Sequence, residues 1–322
     1  MSSSVNMTTM MKMNKYTIVI GDVHGRVNWR QLVYPLRDDC TYVFLGDFSD
    51  PYYSIEDITY EQMIEQAREI FALKEKYPDK IVILASNHDL QYILDYPETN
   101  RFEYRFSKRQ EMHHTFYENS HLIDGVAYNI GDKYLISHAG VTYEWYTSHC
   151  DYDNNNVGKE PLEEIAKKIN TVWKNNKESF MFLQNAKMSD YYGESSGHSP
   201  VWVRPYTLWC NNLFGFDSGR IQVVGHTYFE LEEGFAKTTN EVNRIGTVGT
   251  IKKQAPDEVI ERGSPLLDNF DICQPIGNDK EHVDIIMTDC LRRETACVEI
   301  NNETLKWRKI YLGDVENSKI KW

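Results

Sequence analysis

Five short apolar runs in this chain each end in a cluster of polar residues. "IVIGDVHG" delivers Asp22 and His24, "FLGDFSDP" delivers Asp47 and Asp50, and "ILASNHDL" delivers Asn87, His88 and Asp89. "LISHAG" delivers His138 and "VVGHTYF" delivers His226. An acidic residue straight after a buried strand is costly to desolvate unless a positive group meets it. Carboxylate, imidazole and amide oxygen together make a borderline ligand set, suited to zinc, manganese or iron and not to calcium. A dinuclear site needs a bridging ligand, and a carboxylate such as Asp47 can serve. Singly, a D-x-H or a strand-end His is weak, since most such residues are surface or structural. Five in order, most flanked by Gly or Ala that permit tight turns, form a specific signal. Six other histidines (His113, His114, His121, His149, His198 and His282) follow no such strand. The adjacent His113 and His114 read as solvated on a polar helix.

The elements that must aim these residues are legible in the hydrophobic pattern. "YTIVI", "TYVFL" and "KIVILA" read as buried strands, as do "KYLIS", "IQVVG" and "VDIIM". The stretch from Ser54 to Tyr77 reads as one long helix, with Ser54 and Asp57 as its capping pair and Ile64, Ala67, Ile70, Phe71 and Lys74 around an apolar stripe. "ACVEI" and "LKWRKIYL" suggest an antiparallel hairpin around "NNE", and Cys150 to Pro161 a linker ahead of another helix. Strand, helix, strand argues for an α/β layered fold, in which ligands gather outside the carboxyl ends of the strands.

Composition narrows the function. A chain of 322 residues and net charge −13 does not present a broad basic nucleic-acid surface. No run of about 18 apolar residues is present, so no membrane span is expected. Residues 1–15 have no apolar core and read as a flexible tail rather than a secretory leader. Residues 16–322 are expected to form a single domain, with an insertion or extended loop at about 230–280. The six cysteines form no close C-x-x-C pair and read as reduced structural thiols in a cytoplasmic protein.

The ordered motifs D-x-H, G-D-x-x-D, N-H-[DE], H-[AG]-G and G-H-T, from Gly21 to Thr227, resemble the calcineurin-like metallophosphoesterases. The resemblance implies an α/β fold, a four-layer metallophosphoesterase sandwich of two mixed β-sheets flanked by helices. It implies two divalent metal ions, manganese foremost, with iron or zinc as alternatives. Asp22 and His24 would bind the first metal, Asp47 would bridge both, and Asn87, His138 and His226 would bind the second. His88 would be the general acid, oriented and charged by Asp50. Two cations about 3.5–4 Å apart lower the pKa of a shared water and hold a phosphoryl group for in-line attack by the bridging hydroxide.

Within that superfamily, Tyr228 stands where many phosphodiesterases carry a further His. The pattern then resembles the branch of serine/threonine protein phosphatases and symmetrical dinucleoside-tetraphosphate hydrolases. "SPVWVRP" resembles a segment of that branch and assigns Arg204 to the phosphate, which a guanidinium fork fits well. Three departures stand out. Pro51 replaces an Arg that usually clamps phosphate, Ser86 replaces Gly, and Asp89 replaces Glu. Arg26, Arg101 or Arg105 are candidates to substitute for the missing clamp, and Tyr52 or Tyr53 to line the pocket. The first reading is a phosphomonoesterase whose partner is a phosphoprotein or small phosphate ester. The alternatives are a hydrolase of dinucleoside polyphosphates or phosphodiesters, and a protein that binds phosphorylated ligands without turnover.

Overall fold

The computed structural model describes residues 14–50, 58–95, 106–153, 156–182, 195–214, 218–227, 249–252, 270–272, 283–288, 291 and 294–314. Strands β1 (Tyr16–Ile20), β2 (Cys40–Phe44) and β3 (Ile81–Ile83) lie parallel and side by side. They are nearly apolar throughout because both faces are covered. Helix α1 (Trp29–Val33) connects the first pair and α2 (Tyr60–Lys76) the second. The hairpin of β10 (Glu294–Asn301) and β11 (Lys306–Asp314) adds antiparallel to β1, giving a five-stranded sheet in the order β11-β10-β1-β2-β3.

A six-stranded sheet, β4-β5-β6-β9-β7-β8, faces it. In that sheet β5 (Tyr134–Ser137), β6 (Ile221–Val224) and β9 (Val283–Met287) are parallel. The antiparallel members are β4 (Ala127–Ile130), β7 (Gly249–Lys252) and β8 (Phe270–Ile272). Alternate residues explain the layering. Val19 and Val43 meet Ile136, Val223 and Ile286 between the sheets, while Ile18, Ile20, Tyr42 and Phe44 face the other way, in one core with Trp29 and Phe71. On the far side of the second sheet, α7 (Pro205–Cys210) sets Leu208 against Val224 and Ile285. Helix α6 (Leu162–Asn175) packs on β4 and β5. The result is helix, sheet, sheet, helix.

Several expectations change in detail. Helix α2 begins at Tyr60, capped by Thr59, whose Oγ1 accepts the Gln62 N–H at 3.1 Å. The capping pair read at Ser54 and Asp57 lies outside the described residues. Lys74 sits inside rather than beside the stripe, because its ammonium donates to the carbonyls of Pro78 and Ile81 and to Asp124. The stretch read as an insertion or extended loop at about 230–280 contributes β7 and β8 to the second sheet, both without a strong apolar pattern of their own. No helix among the described residues is long and apolar enough to cross a membrane.

Candidate metal centre

The carboxyl ends of the parallel strands in both sheets open onto one edge. Asp22 and His24 follow β1, and Asp47 and Asp50 follow β2. Asn87 and His88 open α3 (Asn87–Ile93) after β3, and His138 and His226 follow β5 and β6. Backbone strain marks the spot. Of the six non-glycine residues with positive φ among those described, four are His24, Asp47, Asp50 and His226. Each such residue costs on the order of 1–3 kcal/mol, so the surrounding structure must hold it. Two glycines make the approach possible. A Cβ on Gly46 would overlap the Ser86 side chain, and one on Gly225 would overlap Asp22 Oδ1.

The partners of the ring nitrogens set the tautomers. His138 Nδ1 donates to the Leu45 carbonyl at 2.8 Å, leaving Nε2 as a bare lone pair. His226 Nε2 donates to the Trp202 carbonyl at 3.1 Å, leaving Nδ1 bare. Those two lone pairs face each other at 3.3 Å, and Asn87 Oδ1 lies 2.8 Å from one and 3.1 Å from the other. Asp47 Oδ2 stands 3.6 Å from His138 Nε2. Four electron-rich atoms thus converge with no proton between them, all on buried side chains. A cation bound among them satisfies all four at once.

The same Asp47 oxygen looks the other way onto a second group. His24 Nδ1 donates to the Ser49 carbonyl at 2.7 Å, and its bare Nε2 lies 3.5 Å from Asp47 Oδ2. Asp22 completes this group. Within each trio, Asp22–His24–Asp47 and Asp47–His138–His226, the ligand atoms lie within 4.8 Å of one another, and Asp47 belongs to both. Asp22 also accepts the His226 N–H, at 2.9 and 3.1 Å, which ties the two sheets together at the site. The donor set therefore fits a pair of divalent cations. Its backbone-bonded histidines have the outer partners that orient metal ligands.

Burial holds all three ligand imidazoles neutral. It lowers His24 to about 3 against the opposing pull of Asp47, and lowers His138 and His226 as well. Neutral imidazole is the metal-binding form. Burial pushes the Asp47 carboxyl up, but the imidazoles, His138 first, and the Ser86 hydrogen bond bring it below the usual range.

His88 is different. Burial alone would lower it, yet the Asp47 charge and the Asp50 hydrogen bond raise it to about 9. Its Nδ1 meets Asp50 Oδ2 at 3.1 Å, and its side chain keeps 17 % of its surface exposed, against 2 % or less for His24 and His138. Arg204 lies beside the second trio, with Nη1 donating to Thr227 Oγ1 at 3.1 Å. Arg26 is buried next to His24, with Nη1 on the Asp22 carbonyl at 3.2 Å. Pro51, Tyr52, Tyr53, Arg101, Arg105 and Tyr228 lie outside the described residues.

Sequence reasoning missed Gln91 and Tyr92 here, and named Ser86 and Asp89 without giving them a role. Ser86 Oγ accepts the Asp47 N–H at 2.7 Å and donates to Asp89 Oδ2 at 2.8 Å. Asp89 also accepts the N–H groups of Phe48 and Ser49 and the Ser49 hydroxyl. The two departures from the usual pattern are therefore one hydrogen-bonded unit that holds the Asp47–Asp50 loop. Gln91 and Tyr92 both donate to Asp50. Their spacing from His88, three and four residues along a helix, was the available signal. His113 is half-buried rather than solvated, because its Nδ1 donates to the Tyr92 carbonyl at 2.7 Å, whereas His114 is exposed as expected. His198 is fully buried and stacked on Phe182.

Residues 16–228 match a protein-family model described as calcineurin-like phosphoesterase. Among solved structures, a protein serine/threonine phosphatase from Saccharomyces cerevisiae is similar over 96 % of this chain and 84 % of its own. The identity is 13 % and the TM-score 0.48.

Proposed function

Because the chain belongs to the calcineurin-like phosphoesterase family, a metal-dependent phosphoesterase activity is implied, and we propose that it is a two-metal phosphomonoesterase. Asp22 and His24 hold one cation, Asn87, His138 and His226 the other, and Asp47 both. Once bound, such a pair supplies positive charge to phosphoryl oxygens and makes water nucleophilic near neutral pH. Arg204 receives the phosphate beside the second trio. A fork of N–H donors matches phosphate oxygens, and Arg204 lies close to the second trio, with Nη1 on Thr227 Oγ1. His88 gives its proton to the departing oxygen. It is the partly exposed imidazole of the site, raised by the Asp47 charge and by its hydrogen bond to Asp50, which also turns it to that task. Manganese is the first candidate metal because the donors are mixed nitrogen and oxygen. A cytoplasmic setting belongs to the same proposal and rests on thiol content alone.

The convergence of the His138, His226 and Asn87 lone pairs on Asp47 carries this reading. The test is initial rates on p-nitrophenyl phosphate and its diester, with metal-stripped and manganese-loaded protein and an Asp47→Asn variant alongside. Monoester turnover that needs both manganese and Asp47 is the expected result. The second reading, a nucleotide hydrolase, is favoured by Pro51, which removes a guanidinium from its usual place. A preference for the diester or for a dinucleoside polyphosphate would establish it instead. Two bound metals with no turnover of any of these would leave a protein that binds phosphorylated ligands.

A further inference from the structure

The Asp50 carboxylate is gripped more fully than its partnership with His88 requires. Tyr92 OH donates to Oδ1 at 2.6 Å and Gln91 Nε2 to Oδ2 at 2.6 Å, while His88 Nδ1 shares that same Oδ2. The Asp50 N–H meets Met63 Sδ at 3.0 Å. All three donors come from one face of α3, because His88, Gln91 and Tyr92 are separated by one helical turn. The Tyr92 ring is fixed in turn. It stacks on Phe116 at 5.9 Å, which meets Phe71 at 5.6 Å and then Phe48 at 5.9 Å, deep in the core. The Tyr92 carbonyl receives His113.

Gln91 shows what this grip costs. Its side chain is 1 % exposed, and Oε1 is buried with no hydrogen-bond partner among the described residues. Turning the amide over would satisfy nothing, since it would press that oxygen against a carboxylate. The protein tolerates an orphaned carbonyl, ordinarily a destabilising feature, in order to place an N–H on Asp50.

We propose that Gln91 and Tyr92 are positioning residues for proton delivery. They hold Asp50 in one orientation and so hold the His88 ring with Nδ1–H on Asp50 and Nε2 toward the departing oxygen. The inference rests on the phosphomonoesterase reading of this site. Its consequence is substrate-dependent. An alkyl phosphate, whose alkoxide leaves poorly, needs the proton, whereas p-nitrophenolate leaves without one. The two residues therefore matter for alkyl esters and little for p-nitrophenyl phosphate.

The experiment compares Tyr92→Phe and Gln91→Met with the parent protein, all loaded with zinc. It measures kcat and KM on a phosphoserine peptide and on p-nitrophenyl phosphate, the thermal midpoint, and the imidazole proton and nitrogen NMR signals of His88. We expect kcat on the peptide to fall about tenfold or more in each variant, as loss of a hydrogen bond to a charged group does. We expect KM to hold and p-nitrophenyl phosphate turnover to change less than about twofold, an aryl ester having little use for the proton. Gln91→Met removes the orphaned carbonyl along with the donor to Asp50, two changes of opposite sign, so its thermal midpoint should move little while peptide turnover falls. A purely structural role cannot produce that split. Equal loss on both substrates, or no loss on either, overturns the proposal. If the parent turns over neither ester with zinc or with manganese, the phosphomonoesterase reading fails separately, and the NMR signals decide. A slowly exchanging Nδ1 proton on His88 that disappears in both variants supports the positioning role, and one that persists in them overturns it.

Discussion

The cation pocket and the proton arm share Asp47 and lie within one loop of each other, but their polar groups are satisfied in opposite ways. In the pocket, His138 Nε2, His226 Nδ1 and Asn87 Oδ1 point at one another with no proton to share, and outer hydrogen bonds hold them in that posture. In the arm, both Asp50 oxygens have their donors without any added group. The pocket is therefore a set of converging acceptors suited to a cation. The arm is complete as folded and needs only a substrate. Metal loading should act on the pocket directly and reach the arm only through the charge of Asp47, which His88 feels.

The comparison breaks most severely at Asp47. Altering an outer partner of a metal ligand costs about 10–100-fold in affinity. Asp47→Asn removes charge from a ligand shared by both trios, so its loss should exceed about a hundredfold. Isothermal calorimetry with manganese should show the parent taking up two ions and the variant failing to fill both positions. Manganese at a hundred times its dissociation constant should stabilise the parent by about 2.7 kcal/mol for each ion bound, and the variant by much less. Unchanged uptake would mean that the lone pairs converge for some other reason.

Asp50→Asn should do the reverse. Manganese uptake and its thermal stabilisation should match the parent. Turnover of an alkyl phosphate should drop about a hundredfold, the lower range for loss of a positioned general acid. A variant that lost metal as well would show the two halves to be one structural unit.

The two halves also oppose each other in pH, which metal-stripped protein can reveal by chemical denaturation. His24 falls to about 3 when folded, with His138 and His226 lowered too, so between that range and about 6.5 the unfolded chain binds more protons. Stability should therefore fall as pH drops below about 6.5, by about 1.4 kcal/mol per unit for each proton involved. His88 rises to about 9 when folded, so its contribution is whole below about 6.5 and is lost as pH climbs through 9. Stability without metal should peak near the unfolded histidine pKa. Asp50→Asn should make the alkaline side shallower, the Asp47 charge keeping the rest of it, and leave the acid side alone.

The pocket was far more legible in the sequence than the arm, for a physical reason. Ligands at the ends of parallel strands inherit their positions from the sheet, so apolar runs followed by Asp, His or Asn locate them in one dimension. The strands themselves read well because both faces of β1 and β2 are buried. The arm depends on where a loop lands. Nothing in "NHDLQY" states that Asp50 folds back onto Gln91 and Tyr92, although the helical spacing offered them as a face. The strands β7 and β8 were missed because they add to a sheet edge with little apolar pattern of their own. His113 read as solvated because its partner, the Tyr92 carbonyl, belongs to another helix. Ser86 and Asp89 read as two unrelated departures because the hydrogen bond joining them is invisible in a pattern.

That last pair sharpens the comparison with the smallest expected effect. Ser86 Oγ accepts from the Asp47 backbone on the pocket side and donates to Asp89, which holds the Phe48 and Ser49 amides on the arm side. It is the link between halves that otherwise behave independently. Ser86→Ala leaves the Asp47 N–H and one Asp89 oxygen short of a partner, at about 1–3 kcal/mol. Because the loop is released at both ends, manganese affinity and alkyl phosphate turnover should fall together, each by less than about tenfold, the ordinary cost of one neutral hydrogen bond. Calorimetry and initial rates on one preparation check this. A fall confined to metal affinity would make Ser86 part of the pocket, and a fall confined to turnover would make it part of the arm. Equal falls would identify the serine hydroxyl as the joint through which the chain sets the distance between its cations and its proton donor.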